Sequence, residues 1–207
     1  TRMNSLPNTY GFFTTYLLTK PNTLKYINQN HYLFNNSDVW DIKGDYKGYN
    51  IPSTLLCMQP NSGSEYTKVV TLLTPMLYSA CEQWHNTSIG NRGDDYLEFK
   101  ENFSEAVVDF VCQFYPNLRN CIYKKYTASP LTYRDYTSTP SGCAYGIIKD
   151  CRNPLVTLML AKTKISNLLI TGQSLNIHGC LGTTISSAVT CSEILGMEYL
   201  SKKIGNA

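Results

Sequence analysis

The sequence predicts an α+β fold built on a mixed, largely antiparallel sheet with helices. Three observations carry that reading. Aromatic and β-branched runs separated by turn clusters fill about the first ninety residues. A single stretch near the middle then repeats apolar residues at three- and four-residue steps. The last part changes character, pairing a short apolar run with glycines and a tract of small residues.

The strands come first. Residues 10–19 (YGFFTTYLLT) are aromatic and β-branched and stop at Lys20-Pro21-Asn22, a turn signal. Residues 31–34 form a short aromatic run that ends in Asn35-Asn36-Ser37-Asp38. Residues 51–58 (IPSTLLCM) and 68–77 (KVVTLLTPML) flank the turn cluster at 59–64. This spacing predicts a meander with one buried face, and Pro75 marks an edge or a bulge at its strand's end. A helix should follow from Asp94 and Asp95, which offer capping and negative charge at the positive dipole end. Its stripe is Phe99, Phe103, Val107, Phe110, Val111 and Phe114, and Pro116 ends it. Residues 120–127 (NCIYKKYT) alternate as a strand, with Tyr123 to Tyr126 as a solvated face. Ser129-Pro130 opens a polar, Tyr-rich segment, and residues 137–146 (TSTPSGCAYG) are a loop by composition.

Residues 167–171 (NLLIT) read as a strand covered on both faces. A helix is expected over 183–203, with Leu181, Ile185, Ala188, Val189, Ser192 and Leu195 on one side. Its small residues, Ser186 to Ala188 and Thr190 to Ser192, would let another group approach the backbone closely.

Composition removes several function classes. The 207 residues carry a net charge of +3, too mild for a dedicated nucleic-acid binder. No apolar run reaches the roughly 18 residues of a membrane-spanning helix. The eight cysteines include no C-x-x-C and no zinc-ligand spacing, so reduced, buried thiols in a cytoplasmic protein are expected. A secreted protein with four disulfides is the rival reading. The three histidines lie far apart, and neither G-x-S-x-G nor H-E-x-x-H occurs. The start, Thr1-Arg2-Met3-Asn4-Ser5, suggests a piece of a longer chain.

One feature suggests chemistry: a short apolar run, then T-G-Q, then a glycine-containing turn that opens a helix. A helix start presents unsatisfied N–H groups, and Gly179 and Gly182 would let a flat or anionic ligand approach them. On the residues alone, a ligand site and a plain strand-to-helix connection are both readings of it.

Residues 167–196 (NLLITGQSLNIHGCLGTTISSAVTCSEILG) resemble the C-terminal flavin-binding segment of the phytoene desaturase and retinol saturase family. Residues 128–146 (ASPLTYRDYTSTPSGCAYG) are similar to that family's stretch before the strand, where P-x-T precedes G-x-x-Y-G. The resemblance covers about the last 80 residues. It implies an FAD-dependent oxidoreductase acting on carbon–carbon bonds of a long apolar polyene, carotenoid- or retinoid-like. Under it, Gly172 and Gln173 would lie beside the ribityl chain and phosphates. Gly179, Leu181, Gly182 and Thr183 would form the helix start under the flavin ring, with Tyr145 and Gly146 near the flavin and substrate.

Many relatives carry Asp or Glu where this chain has Gln173, whose amide can still donate and accept. The family's N-terminal G-x-G-x-x-G is absent from this sequence. The implied organisation is a substrate-binding domain over 1–160 and, over 161–207, the last strand and helix of an incomplete Rossmann-like FAD-binding domain. The missing N-terminal dinucleotide-binding part would be the partner, and the chain alone should hold FAD weakly or not at all. Peripheral membrane contact and self-association through 165–200 are further expectations, the latter because Leu168, Leu169, Ile170 and the small-residue helix face would lie exposed. The alternative is a non-enzymatic apolar-ligand or protein-interaction module.

Overall fold

In the computed structural model, which describes residues 5–40, 46 and 48–205, the apolar runs of the first part pair into one sheet. Its strands are β1 (Gly11–Thr19), β2 (His31–Phe34), β3 (Ser53–Met58), β4 (Val69–Met76) and β5 (Ile122–Ala128), in the order β2-β3-β4-β1-β5. Every neighbouring pair is antiparallel, so the sheet is not mixed. β2, β3 and β4 form the expected meander, while β1 inserts between β4 and β5. Pro75 pairs with Phe12 of β1 but lies past Leu73, the last residue of β4 paired with β3. The strand end is therefore an edge on one side, which a residue without an N–H tolerates.

Alternation then fixes the faces. Phe13, Thr15 and Leu17 stand opposite Thr74, Leu72 and Val70, all buried. Helix α1 (Asp94–Cys112) covers this face with Phe103, Val107, Phe110 and Val111, also buried. Each such side chain contributes about 1.5–3 kcal/mol through the area it removes from water. Phe114 lies beyond the end of α1 and is exposed, so the stripe stops earlier than its period suggested. The cap also differs from expectation. Gly93 holds the N-cap at φ 87°, and no side chain caps the helix. Asp94 and Asp95 sit inside the first turn, where Asp95 Oδ2 accepts from Trp84 Nε1 at 2.8 Å.

Two stretches without a strong period form helices. A 3₁₀ helix spans Tyr78–Trp84, and after the short α2 (Leu118–Cys121) and β5 comes α3 (Pro130–Thr137), in the polar, Tyr-rich segment. Ser129 and Thr132 close a capping box at its start, Pro130 occupies the first turn, and Tyr133 hydroxyl meets Thr14 Oγ1 at 2.5 Å.

The β5 face is not uniformly solvated. Tyr123 and Tyr126 are exposed, but Lys125 is mostly covered and pairs with Glu101 at 2.9 Å and with Glu105. The hydrogen bond from Lys125 holds the Glu105 carboxyl below its ordinary 4.5; burial opposes this and Arg119 reinforces it. A lowered folded value means stability that is present above the unfolded value and lost as pH falls through the folded one. Glu105→Gln should therefore be less stable than the natural chain at neutral pH. Urea midpoints measured against pH should show that gap closing below 4.5. A gap independent of pH would contradict it.

The chain divides into two compact units, Tyr10–Cys143 and a second made of Thr1–Thr9 with Ala144–Ala207. Residues 144–160 lie in the second unit because Ile147 and Met159 share a core with Leu6, Ala161 and Leu175. Ile147 bridges Asn8, and Ile148 N donates to Pro7 O at 2.9 Å. The short α4 (Pro154–Thr157) precedes α5 (Gly179–Leu195), and α6 (Met197–Gly205) follows. The single expected helix over 183–203 is thus two, broken at Gly196 with φ 85°.

Two further expectations fail here. Residues 167–171 form no strand: Leu169 makes one isolated bridge to Lys162, and Ile170 N donates to Ala161 O at 2.8 Å. Leu168 is exposed rather than covered on both faces, because this unit holds no strand beside it among the described residues. On α5, the buried residues are Gly182 and Ser186, while Leu181, Ile185 and Leu195 are exposed. The small-residue side is the packed one. All eight cysteines are free, but Cys151, Cys180 and Cys191 are exposed, so the thiols are not uniformly buried. Among the described residues no helix is long and apolar enough to cross a membrane.

Candidate functional site

The site residues proposed from sequence all fall in the second unit: Gly172 and Gln173 in the turn before α5, Gly179, Leu181, Gly182 and Thr183 at its start, and Tyr145 and Gly146 on an earlier segment. Gly172 takes φ 102° and opens a tight turn, with Leu175 N donating to Gly172 O at 3.1 Å. Lys149 fixes that turn from behind. Its Nζ donates to Ser174 O at 2.7 Å, Leu175 O at 3.0 Å and Thr157 O at 3.2 Å. Partial burial lowers its amine from the ordinary 10.5.

The two sequence segments singled out above converge here. Gly146 takes φ 72°, and a Cβ on it would overlap Ser174 Oγ and touch Gln173 Cγ at 3.5 Å. Tyr145 packs against His178, ring centroids 4.4 Å apart and planes tilted by 38°, and its N–H donates to Thr9 Oγ1 at 3.0 Å. Tyr145 and Gly146 therefore meet Gln173, Ser174 and His178 directly ahead of α5. His178 itself is the N-cap of α5 and provides no side-chain cap. Sequence reading did not single out His178, Ser174 or Lys149. The His-Gly pair at the helix start was the visible signal for the first, while the Lys149 anchor has no local signature.

The helix start divides by role. Gly179 takes φ 78° with open space where a Cβ would be, as does Gly172. Gly182 has no such space, because a Cβ would overlap the Ile177 carbonyl. Thr183 turns back on its own helix, Oγ1 donating to Gly179 O at 2.9 Å and lying 3.1 Å from Cys180 O. Leu181 projects outward with 75% of its surface exposed. The arrangement leaves the first α5 amides without a side-chain cap and two glycines, Gly172 and Gly179, with open space where a Cβ would be. Such donors suit an anionic or carbonyl-bearing group, and the positive dipole end favours negative charge there. Among the described residues no cluster of His, Cys, Asp and Glu could hold a metal ion.

No protein-family model matches the chain. Human all-trans-retinol 13,14-reductase is 34% identical over 138 residues, which are 65% of this chain and 22% of that protein. The Danio rerio all-trans-retinol 13,14-reductase is 25% identical over 182 residues, 80% of this chain and 30% of its own length. The Rattus norvegicus protein of the same name is 30% identical over 129 residues, 61% of this chain and 21% of its own length. These relatives define a retinoid oxidoreductase family. The chain is similar to these retinol saturase-like proteins, and its matched stretches span between 21% and 30% of the length of these curated relatives.

Proposed function

We propose that the chain is the C-terminal part of an FAD-dependent oxidoreductase that desaturates or saturates carbon–carbon bonds of a long apolar polyene of carotenoid or retinoid type. The observation that carries this reading is the meeting of Tyr145 and Gly146 with Gln173, Ser174 and His178 ahead of α5. The relatives named retinol reductases support the substrate class. In this reading residues 1–160 serve substrate binding, and 161–207 complete a nucleotide-binding domain whose N-terminal part lies elsewhere in the protein.

The donor set fits the cofactor in chemistry. Gly172 and Gln173 would run beside the ribityl chain and phosphates, with the open side of Gly172 allowing close approach. Gly179 and the α5 amides would face the ring, with Leu181 at its rim. Gly182 and Thr183 would act by holding the helix start in place rather than by touch. Bound FAD supplies the hydride chemistry; the protein positions it and excludes water. Tyr145 and Gly146 would border the substrate.

The second unit leaves many apolar side chains exposed, among them Leu155, Leu160, Leu181 and Ile194. Patches of this kind need cover. The missing nucleotide-binding part would supply it in the whole protein, and self-association through 165–200 would in its absence. Peripheral membrane contact in the cytoplasm would follow from the apolar substrate.

The test is flavin retention. The chain alone should lose FAD on gel filtration, while the whole protein should keep it and reduce or desaturate a polyene. Tight stoichiometric flavin on the chain alone would overturn the fragment reading, and a flavin-free whole protein would overturn the enzyme reading.

A further inference from the structure

A cleft of about 410 Å³ lies in the unit Tyr10–Cys143, far in sequence from the proposed flavin residues. Its lining includes Arg92, Tyr96, Lys100, Thr127 and Thr132, with Gly93 and Asp94 at the start of α1. The charge balance in this corner is uneven. Asp135 accepts from both Arg92 and Arg134, the latter at 2.8 Å, so one carboxylate serves two guanidinium groups. Arg92 is further fixed by Thr87, whose Oγ1 accepts at 2.8 Å and whose carbonyl accepts at 3.1 Å.

Lys100 is left over. Among the described residues no carboxylate pairs with it, and its Nζ lies 5.5 Å from the Tyr96 ring centroid, with the Arg92 guanidinium 5.4 Å from the same centroid. Burial, and Arg92 after it, push the Lys100 amine below its ordinary 10.5. The buried Cys81 thiol facing both cations gives no counter-charge, since burial pushes it up to about 12. Asp94 is the one carboxylate on the lining, and it is exposed. The start of α1 faces the same cleft without a side-chain cap.

We propose that this cleft binds a small anion, a phosphate or carboxylate group, with Lys100 as its principal charged partner. An anion there would give Lys100 its missing counter-ion and occupy the uncapped positive end of a 19-residue helix. Thr127 and Thr132 also belong to the lining. Arg92 and Lys100 both lie on the lining and against the Tyr96 ring, and two cations in one cleft suit a compact anion better than a long apolar group.

Titration of the chain with inorganic phosphate and, separately, with malonate tests this, by calorimetry and by amide shifts against a sodium chloride control. Saturable binding is expected, with shifts centred on Gly93, Asp94 and Lys100. Lys100→Gln should weaken it by about tenfold or more, the scale of a charge-assisted hydrogen bond. Lys100→Arg should retain it, as should Lys124→Gln. Binding of phosphate alone points to a phosphate ester, of malonate alone to a carboxylate, and of both to a site that reads charge. Absence of saturable binding by either anion, shifts centred elsewhere, or unchanged binding in a folded Lys100→Gln chain would overturn the proposal. None of these outcomes bears on flavin retention.

Discussion

Phe103→Ala should lower the stability of the Tyr10–Cys143 unit by about 3–5 kcal/mol, the range for truncating a large aromatic in a packed core. Phe103 is fully buried and is the hub of an aromatic cluster. Its ring centroid lies 4.7 Å from that of Phe13 on β1, 6.0 Å from Phe99, 6.2 Å from Tyr46 and 6.3 Å from Tyr49. Neighbours on both the sheet and the helix face the same hole, and neither can move without losing its own partners, so the cavity will stay largely open. Urea unfolding followed through Trp84 reads this directly, since that indole packs 5.1 Å from Phe99. Leu97→Ala, on the exposed side of α1, should shift the same transition by no more than about 0.5 kcal/mol. Similar losses in both variants would mean that the helix stripe does not carry the core.

Gly182→Ala should disturb the other unit alone. Alanine is the better helix former by about 1 kcal/mol, so propensity predicts a gain. Packing predicts the reverse, because the added Cβ would overlap the Ile177 carbonyl, which is backbone and cannot rotate away. An overpacked site of this kind costs about 1–3 kcal/mol. The helix start must then lift, carrying His178 off Tyr145. Hydrogen exchange should speed up across the first turns of α5, while α1 keeps its protection. Unchanged protection at α5 would show that the start tolerates the shift, and the positioning role of Gly182 would fall with it.

Where burial follows period, residues and structure agree. β1 and α1 are legible because Phe13 and Leu17 alternate and because Phe103, Val107, Phe110 and Val111 recur on one helical face. The flavin-like segment and the Tyr145-Gly146 turn were likewise visible as two separate strings. Their meeting was not, since Gly146 reaches Ser174 across 28 residues by a backbone turn that only a positive φ allows. Nor was the Lys149 anchor, whose three acceptors are carbonyls and leave no mark in residue type.

The run at 167–171 marks the limit most clearly. Its apolar residues state a preference for burial but not a partner, and Leu168 stays exposed where no strand among the described residues adjoins it. The same holds for α5. Of the side that runs Leu181, Ile185, Ala188, Val189, Ser192 and Leu195, only Val189 is packed against the core while Leu181, Ile185 and Leu195 are exposed, and the buried residues are Gly182 and Ser186. Local sequence determined that a helix forms there, because hydrogen bonding from each residue to the fourth before it needs only the chain's own backbone. Which side it buries depends on what packs against it, and at its start the backbone itself folds back, the Ile177 carbonyl lying against a residue with no side chain.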